Sequence, residues 1–205
     1  MSKKNEHLAP ANSKNLVLAS TSRYRAQLLA RLQLSFDVVD PAIDETPLLN
    51  EDPQVLALRL AAAKARTPLA TTDNWVLGSD QVLSNKGNIL GKPGSREKAA
   101  QQLSACSGST VFFYTAVCLS NLHLNYCESR VVETRVTFRK LSNRDIVDYV
   151  DREPALDCAG SFKVEGLGIS LFTKVESSDP TALEGLPLIS VCSMLRQANA
   201  WKRHL

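Results

Sequence analysis

The sequence predicts an α/β fold in which a twisted, partly antiparallel sheet has helices on its faces. Short apolar runs of strand length alternate with segments in which apolar residues recur at helical spacing. Two β-rich segments follow one another in the second half, Val111 to Leu119 and Val131 to Phe138, and we expect them to pair as antiparallel neighbours. Ligands of such a sheet bind at the strand ends, so we expect a cleft there.

The first strand and helix are predicted directly after a polar N-terminus. Leu16 to Ala19 are four apolar or small residues, which suits a short buried strand. A helix is predicted from about Tyr24 to Leu34, because leucines recur on one of its faces. Residues 1–14 lack an apolar stretch and are expected to form a flexible tail ahead of one domain over residues 15–205.

Asp52 and Pro53 predict the start of a second helix, since aspartate is a good cap and proline suits the first helical position. We expect this helix to end near Arg66 and to hold Lys64 on its polar side. The residues expected to be buried on its other side are Leu56, Leu60 and Ala63.

The stretch NWVLGSD predicts a buried strand that ends in a polar turn at residues 78–80. Residues 157–166, DCAGSFKVEG, predict a loop that is too polar for a core. The remaining helix starts are predicted at Ser95 with Glu97, at the capping-box pattern of Ser142 with Asp145, and just after Pro187.

Composition excludes several functional classes. A hydrophobic fraction of 44% supports a sizeable core, and no apolar run is long enough to span a membrane. The net charge of +3 suits a small anionic ligand but is too low for a dedicated nucleic-acid binder. Five scattered cysteines without a Cys-x-x-Cys pair indicate reduced, mostly buried thiols of a cytoplasmic protein. The sequence leaves open whether the chain forms a homodimer.

The turn after the first strand is a candidate anion site. Backbone N–H groups at a helix N-terminus, with the Ser20 and Ser22 hydroxyls and the Arg25 guanidinium, suit a phosphate. The alternative is that Ser22 only caps the helix. Lys64 and Lys92 are further candidate phosphate contacts, although most lysines on a surface are merely solvated.

Two acidic positions are candidates for a metal or a general base. Asp80 ends a buried strand, where it could hold a cation or accept a proton. Glu45, beside Asp44 in a loop, could hold a hard cation through oxygen. Acids, lysines and a hydroxyl-rich helix start together favour metal-assisted attack of water on a phosphate chain.

The order of these motifs resembles the Maf family of nucleoside triphosphate pyrophosphatases. The matching stretches are LASTSRYR, IDET, AKA, GSDQ, LGKP, DCAGSF and EGLPL. The resemblance implies a Maf/inosine-triphosphatase-like fold of two lobes with a twisted mixed sheet and a central cleft. It implies a small nucleotide as substrate, Mg²⁺ or Mn²⁺ as cofactor, and hydrolysis between the α- and β-phosphates.

The resemblance also implies roles for individual residues. Ser20, Arg25, Lys64 and Lys92 match phosphate-binding positions, and Glu45 matches an acidic position associated with the metal. Asp80 matches the carboxylate that accepts a proton, with metal binding as the alternative.

Three positions are similar to the branch of the family that acts on 7-methyl-GTP. These are Tyr24, Gln81 and Glu165, where members that act on dTTP and UTP have Arg, Thr and Gln. A methylated guanine is cationic, so an aromatic ring and a carboxylate suit it. The alternatives are a dTTP/UTP pyrophosphatase and a non-catalytic regulator of septum formation. Arg23 replaces a proline that is usual in the family, and the sequence does not explain it.

Overall fold

The computed structural model describes residues 16–67 and 73–200, so the predicted N-terminal tail lies outside the described residues. Within these ranges, seven strands form one mixed sheet and five α-helices pack around it. The strands are β1 Leu16–Ala19, β2 Phe36–Val39, β3 Trp75–Asn85, β4 Asn88–Leu90, β5 Thr110–Asn121, β6 Tyr126–Phe138 and β7 Phe172–Ser177. The helices are α1 Arg23–Ala30, α2 Pro53–Ala65, α3 Arg96–Cys106, α4 Asn143–Arg152 and α5 Leu188–Gln197.

The sheet combines a parallel part with a larger antiparallel part. Its order is β2-β1-β3-β5-β6-β7, and β4 pairs with β3. β1 is parallel to β2 and to β3, whereas β3, β5, β6 and β7 pair as antiparallel neighbours. The predicted α/β class and the antiparallel pairing of β5 with β6 are therefore confirmed. Both strands are longer than predicted.

The polar turn predicted at residues 78–80 is wrong, because β3 continues through it to Asn85. Pairing with β1 ends at Gly78, but pairing with β5 continues to Ser84. The three polar side chains at residues 79–81 have hydrogen-bond partners within the protein. The Ser79 hydroxyl, for example, donates to the Ala116 carbonyl at 2.8 Å.

Two hydrophobic cores lie at the two ends of β3 and β5. Leu77 and Leu119 belong to one core, and Leu83 and Phe113 belong to the other. Residues 79–81 of β3 lie between them. The long strands therefore connect two lobes, and the polar part of β3 lies where it passes from one lobe to the other.

Helix α2 packs unusually closely on β3. A Cβ at Gly78 would lie 2.3 Å from the Ala61 carbonyl oxygen and 2.5 Å from the Ala65 nitrogen. Leu56 and Leu60 are buried as predicted, whereas Ala63 is only half-buried. Lys64 was expected on the polar side of the helix, either as a phosphate contact or as a surface lysine, and the surface alternative is wrong because the residue is 4% exposed. The close contact turns Lys64 toward the sheet.

Helix α1 is shorter than predicted, and its ends have clear causes. The Ser22 hydroxyl accepts a hydrogen bond from the Arg25 nitrogen, which caps the helix before Arg23. The helix ends at Ala30, and Gln33 then has a positive φ of 54°, which cannot continue it.

The cap of α4 was predicted from the sequence, whereas the hydrogen-bond partner at the start of α5 was not. The predicted capping box of α4 is confirmed, with reciprocal bonds between Ser142 and Asp145. Helix α5 begins after Pro187 as predicted, but the buried Asp179 carboxylate accepts a hydrogen bond from the Ile189 nitrogen at 2.7 Å.

Two predictions about burial need correction. The loop of residues 157–166 was expected to be too polar for a core, yet Phe162 is buried in edge-to-face contact with Phe113, Phe138 and Phe172. All five cysteines are free thiols, but only Cys106 and Cys118 are buried. In the described part of the chain, no helix is both long and apolar enough to cross a membrane.

Replacing Gly78 by alanine should destabilise the protein, because the added methyl group would overlap the backbone of α2. We expect a loss of about 1–3 kcal/mol in the free energy of unfolding, measured by urea titration. Gly91→Ala is the matched control, since a Cβ at Gly91 meets nothing within 4 Å. Equal stability of the two variants would contradict the close packing.

Candidate active site

Three charged side chains meet on the floor of a cleft between the lobes. Lys64 on α2 places its Nζ atom 2.7 Å from Asp80 Oδ1 on β3 and 2.5 Å from Glu45 Oε1. Asp80 is 7% exposed, whereas Glu45 lies in the loop before α2 with half of its side chain in solvent. A buried lysine is stable here because it is paired with carboxylates.

The end of β1 supplies a second polar group to the same cleft. Ser20 follows the last strand residue and is 2% exposed. Its hydroxyl accepts hydrogen bonds from the Ser22 nitrogen at 3.2 Å and from Arg25 Nη1 at 3.4 Å. Arg25 Nε also donates to the Gly185 carbonyl at 2.9 Å, which fixes the guanidinium beside the turn. The predicted Ser22 cap is thus confirmed, while the anion site at the same turn stays a prediction.

Electrostatics link these groups across the cleft. Burial lowers the pKa of the Arg25 guanidinium, and attraction by Asp80 and Glu45 opposes this shift. For Glu45, attraction by the neighbouring cations outweighs the effect of burial. Burial raises the pKa of its carboxyl, but the hydrogen bond and charge of Lys64, with attraction by Lys92 and Arg25, bring it below its ordinary value. Glu45 is thus held as a carboxylate by three cations.

The cleft has a volume of about 640 Å³, within the usual range for a small-ligand site. All nine residues predicted for the site line it: Ser20, Tyr24, Arg25, Glu45, Lys64, Asp80, Gln81, Lys92 and Glu165. Lys92 is exposed at the rim, directly before the buried Pro93. The fold brings together residues that are up to 145 positions apart in the sequence, since Ser20 and Glu165 share the cleft (165 − 20).

Tyr24 lies among charged groups on the wall of the cleft. The Arg23 guanidinium carbon is 4.9 Å from the centre of the Tyr24 ring, and Arg23 Nη2 donates to the Tyr24 hydroxyl at 2.9 Å. The Lys163 ammonium is 5.9 Å from the same ring centre. The Tyr24 hydroxyl in turn lies 3.4 Å from Asp157 Oδ2 of the other lobe. Arg23, unexplained by the sequence, therefore packs against Tyr24.

Gln81 and Glu165 differ in how free their side chains are. Gln81 Nε2 donates to the carbonyls of Ala182 and Leu183 and to the Thr115 hydroxyl, at 2.9 to 3.2 Å. The Gln81 amide therefore fixes the segment of Ala182 and Leu183 beside the cleft. Glu165 is exposed on the wall of the cleft.

Glu45 and Asp80 supply carboxylate oxygens of the kind that Mg²⁺ prefers, and both line the cleft. The point on which they converge is held by the Lys64 ammonium, so one oxygen of each carboxylate contacts Lys64 and the other is the candidate for a cation. Mg²⁺ is commonly held by one or two carboxylates together with substrate phosphates. Across residues 16–67 and 73–200, no cluster of three or more His, Cys, Asp or Glu side chains could bind a metal by itself.

Sequence analysis missed Glu184 as a cleft residue. It lines the cleft and forms an ion pair with Arg31 at 2.6 Å, which connects α1 to the segment before α5. Its place directly before Gly185 in the motif EGLPL was the available signal.

The ion pair of Glu45 with Lys64 should make stability depend on acid pH. Because the pKa of Glu45 is lowered in the fold, its contribution is fully present above the ordinary value of 4.5 and is lost as pH falls through the lowered value. The half-exposed pair should contribute below about 1 kcal/mol. Urea titrations should therefore show wild type more stable than Glu45→Gln at pH 7, with a difference that shrinks as pH falls below 4.5. A difference that is constant with pH would contradict this.

Comparisons with known proteins agree on one family. A family model described as Maf-like protein matches residues 15–198. A relative from Xanthomonas axonopodis pv. citri, named 7-methyl-GTP pyrophosphatase, is 54% identical over 188 residues, which is 89% of this chain and 96% of the relative. Relatives with the same name from Idiomarina loihiensis and Vibrio vulnificus are 51% and 49% identical, cover 88% and 89% of this chain, and are themselves covered to 93% and 94%.

Among solved structures, a nucleoside-triphosphatase (dITP/XTP pyrophosphatase) from Mycobacterium abscessus shows a weaker likeness. The alignment covers 93% of this chain and 100% of that one, with 14% identity and a TM-score of 0.42. The family model spans nearly all of the described residues, and the relatives share about half of their residues with this chain over most of their length. The chain belongs to the Maf family.

Proposed function

We propose that this protein hydrolyses 7-methyl-GTP to 7-methyl-GMP and pyrophosphate. The observation that carries the proposal is the meeting of Lys64, Glu45 and Asp80 on the floor of a nucleotide-sized cleft. The name of several relatives, 7-methyl-GTP pyrophosphatase, supports both the reaction and the base. The set of acids and cations suits catalysis better than binding alone, because a binding module needs no carboxylate that can activate water.

The phosphate chain binds between the lobes at the cationic end of the cleft. Ser20 and the N-terminus of α1 offer donors, and Arg25 is held in place by its bond to Gly185. Lys92 is free at the rim to reach the outer phosphates. These cations stabilise the charge that builds up on the leaving pyrophosphate.

Asp80 accepts the proton of the attacking water in this proposal. Lys64 contacts its Oδ1 atom, and the strand holds the carboxylate rigidly on the cleft floor. Lys64 thereby orients Asp80 and also adds positive charge beside the α-phosphate. General-base catalysis by a positioned carboxylate accelerates such reactions by about 10²–10⁴-fold.

Glu45 and Asp80 are the residues that would hold a divalent cation, Mg²⁺ or Mn²⁺. When bound, the cation would neutralise phosphate charge and polarise the bond that breaks. Asp80 could serve as a ligand through one oxygen and as a base through the other. Glu45 is kept anionic by Lys64, which suits a metal ligand.

The base binds at the opposite end, against Tyr24. A 7-methylguanine ring is cationic and gains a cation–π contribution from an aromatic face. Glu165 can accept hydrogen bonds from the N1–H and the exocyclic amine of guanine. Gln81 acts indirectly in this proposal, because its amide fixes the segment of Ala182 and Leu183.

We also propose a cytoplasmic location. The supporting observation is that the structure holds five free thiols and no disulfide, as expected in a reducing compartment.

Asp80→Asn should lower pyrophosphate release from 7-methyl-GTP by about 10²–10⁴-fold, because the amide cannot accept the proton of water. Turnover is measured with Mg²⁺ or Mn²⁺ present, and thermal melting checks the fold. Asp151→Asn is the matched control, since Asp151 forms only an exposed ion pair with Arg96. Full activity of the Asp80 variant would contradict its assigned role.

Exchange of the three base-selecting residues should change substrate preference. The variant Tyr24→Arg, Gln81→Thr, Glu165→Gln should lose at least about tenfold in kcat/KM for 7-methyl-GTP relative to UTP, since a charged hydrogen bond and a cation–π contact are removed. A panel of methylated and ordinary triphosphates is the measurement.

Gln81→Thr alone is the internal control for that triple variant. It removes the bonds to the Ala182 and Leu183 carbonyls, so it should affect stability more than preference. An unchanged preference in the triple variant would favour a dTTP/UTP pyrophosphatase instead.

A further inference from the structure

A tight turn places Glu165 on the wall of the cleft and Lys163 next to it, beside the ring of the cleft residue Tyr24. The Gly166 nitrogen donates to the Lys163 carbonyl at 3.2 Å, so residues 163–166 form one turn. Glu165 lies within this turn on the cleft wall, and Lys163 begins it with its ammonium beside the Tyr24 ring. The proposed function uses Glu165 but leaves Lys163 without a role.

Helix α4 holds this turn from behind. The Tyr149 hydroxyl accepts from the Lys163 nitrogen at 3.2 Å and donates to Glu153 Oε2 at the same distance. Glu153 Oε2 also accepts from the Gly168 nitrogen at 3.2 Å. A Cβ at Gly166 would lie 2.1 Å from Glu153 Oε1, so the turn fits closely against the helix. Its backbone is fixed, and only the side chains of Lys163 and Glu165 can adjust.

The edge of guanine presents its groups in a fixed order: the exocyclic amine, N1–H, and the O6 oxygen. A carboxylate can satisfy the first two, which are donors, but it repels O6, which is an acceptor. Recognition of a guanine by one carboxylate therefore leaves O6 in need of a donor. An ammonium has three donors and no acceptor, so it suits this position.

We propose that Lys163 donates a hydrogen bond to O6 of the bound guanine and thereby, with Glu165, selects guanine over other purines. This inference rests on the proposed function. Adenine has an amino group in place of O6. The N–H donors of that group would face the Lys163 ammonium, which has no acceptor. Lys163 thus determines specificity at O6. Glu165, on the same turn, recognises N1–H and the exocyclic amine.

The position of Lys163 in the structure is compatible with this role. Its ammonium lies 5.9 Å from the ring centre of Tyr24, on which the base is expected to stack. The lysine stem is flexible, so the ammonium can move from the ring to the edge of the arriving base. The cationic base then replaces the Lys163 ammonium at the Tyr24 ring, which keeps the free-energy cost of this movement small.

The experiment combines enzyme variants with altered substrates. Lys163→Met should lower kcat/KM for 7-methyl-GTP by about 10- to 100-fold, because a charged hydrogen bond is lost. The loss should persist on 7-methyl-ITP, which keeps O6, and vanish on the 7-methyl-2-aminopurine triphosphate, which lacks it. Glu165→Gln should lose less on 7-methyl-ITP than on 7-methyl-GTP, since only the amine differs.

Controls separate a role in recognition from a role in folding. Lys163→Arg keeps donors and should retain more activity than Lys163→Met, while Lys174→Met removes an exposed lysine of β7 and should leave activity unchanged. An equal loss on all three substrates, or no loss at all, would overturn the inference. If wild type does not hydrolyse 7-methyl-GTP, the proposed function fails before Lys163 is tested.

Discussion

The close contact between α2 and β3 at Gly78 determines the geometry of the whole catalytic floor. The absence of a side chain there lets the helix backbone approach the strand, and Lys64 is turned inward as a result. The ammonium then lies between Asp80 and Glu45, which draws the loop before α2 to the sheet. A buried lysine without those carboxylates would cost several kcal/mol, so packing and ion pairing depend on each other.

The two-lobed arrangement explains why the cleft has chemically different ends. Helix α1 packs on the core that includes Leu77 and Leu119, whereas the turn of residues 163–166 follows Phe162, which packs in the other core. Tyr24 and Asp157 contact each other across the gap. The strands that pass between the lobes hold Asp80 at the centre. Asp80 and Lys64 thus lie on a strand and a helix, Tyr24 lies in the first turn of α1, and Glu45, Lys92 and Glu165 lie on loops.

Local patterns predicted much of this fold, and long-range packing decided the rest. The alternating elements, the antiparallel pairing of β5 with β6 and the capping box of α4 depend on neighbouring residues, so the sequence shows them directly. The turn expected at residues 78–80 was wrong because Gly, Ser and Asp favour turns when they lie in solvent. Here they cross between two lobes, and their partners come from α2 and β5.

The residues of the site could be predicted from the order of the sequence motifs, but not from the chemistry of any single motif. Every residue proposed for it lines the cleft, but the sequence left open whether Lys64 is a phosphate contact or a surface lysine. The reason is that its burial depends on the close packing of α2 on Gly78, a residue of another element. Glu184 was missed because its role depends on Arg31, 153 positions away in the chain. Contacts over such separations leave no periodic signal.

Cations and carboxylates are paired in both parts of the cleft. On the floor, Lys64 lies between Glu45 and Asp80. Around Tyr24, the cations Arg23 and Lys163 lie near the ring, while Asp157 contacts its hydroxyl and Glu165 lines the same cleft. These charges balance one another, so the net field around Tyr24 does not by itself favour a cationic base. Selection of 7-methylguanine would therefore depend on the ring face of Tyr24 and on the hydrogen bonds of Glu165 rather than on net charge.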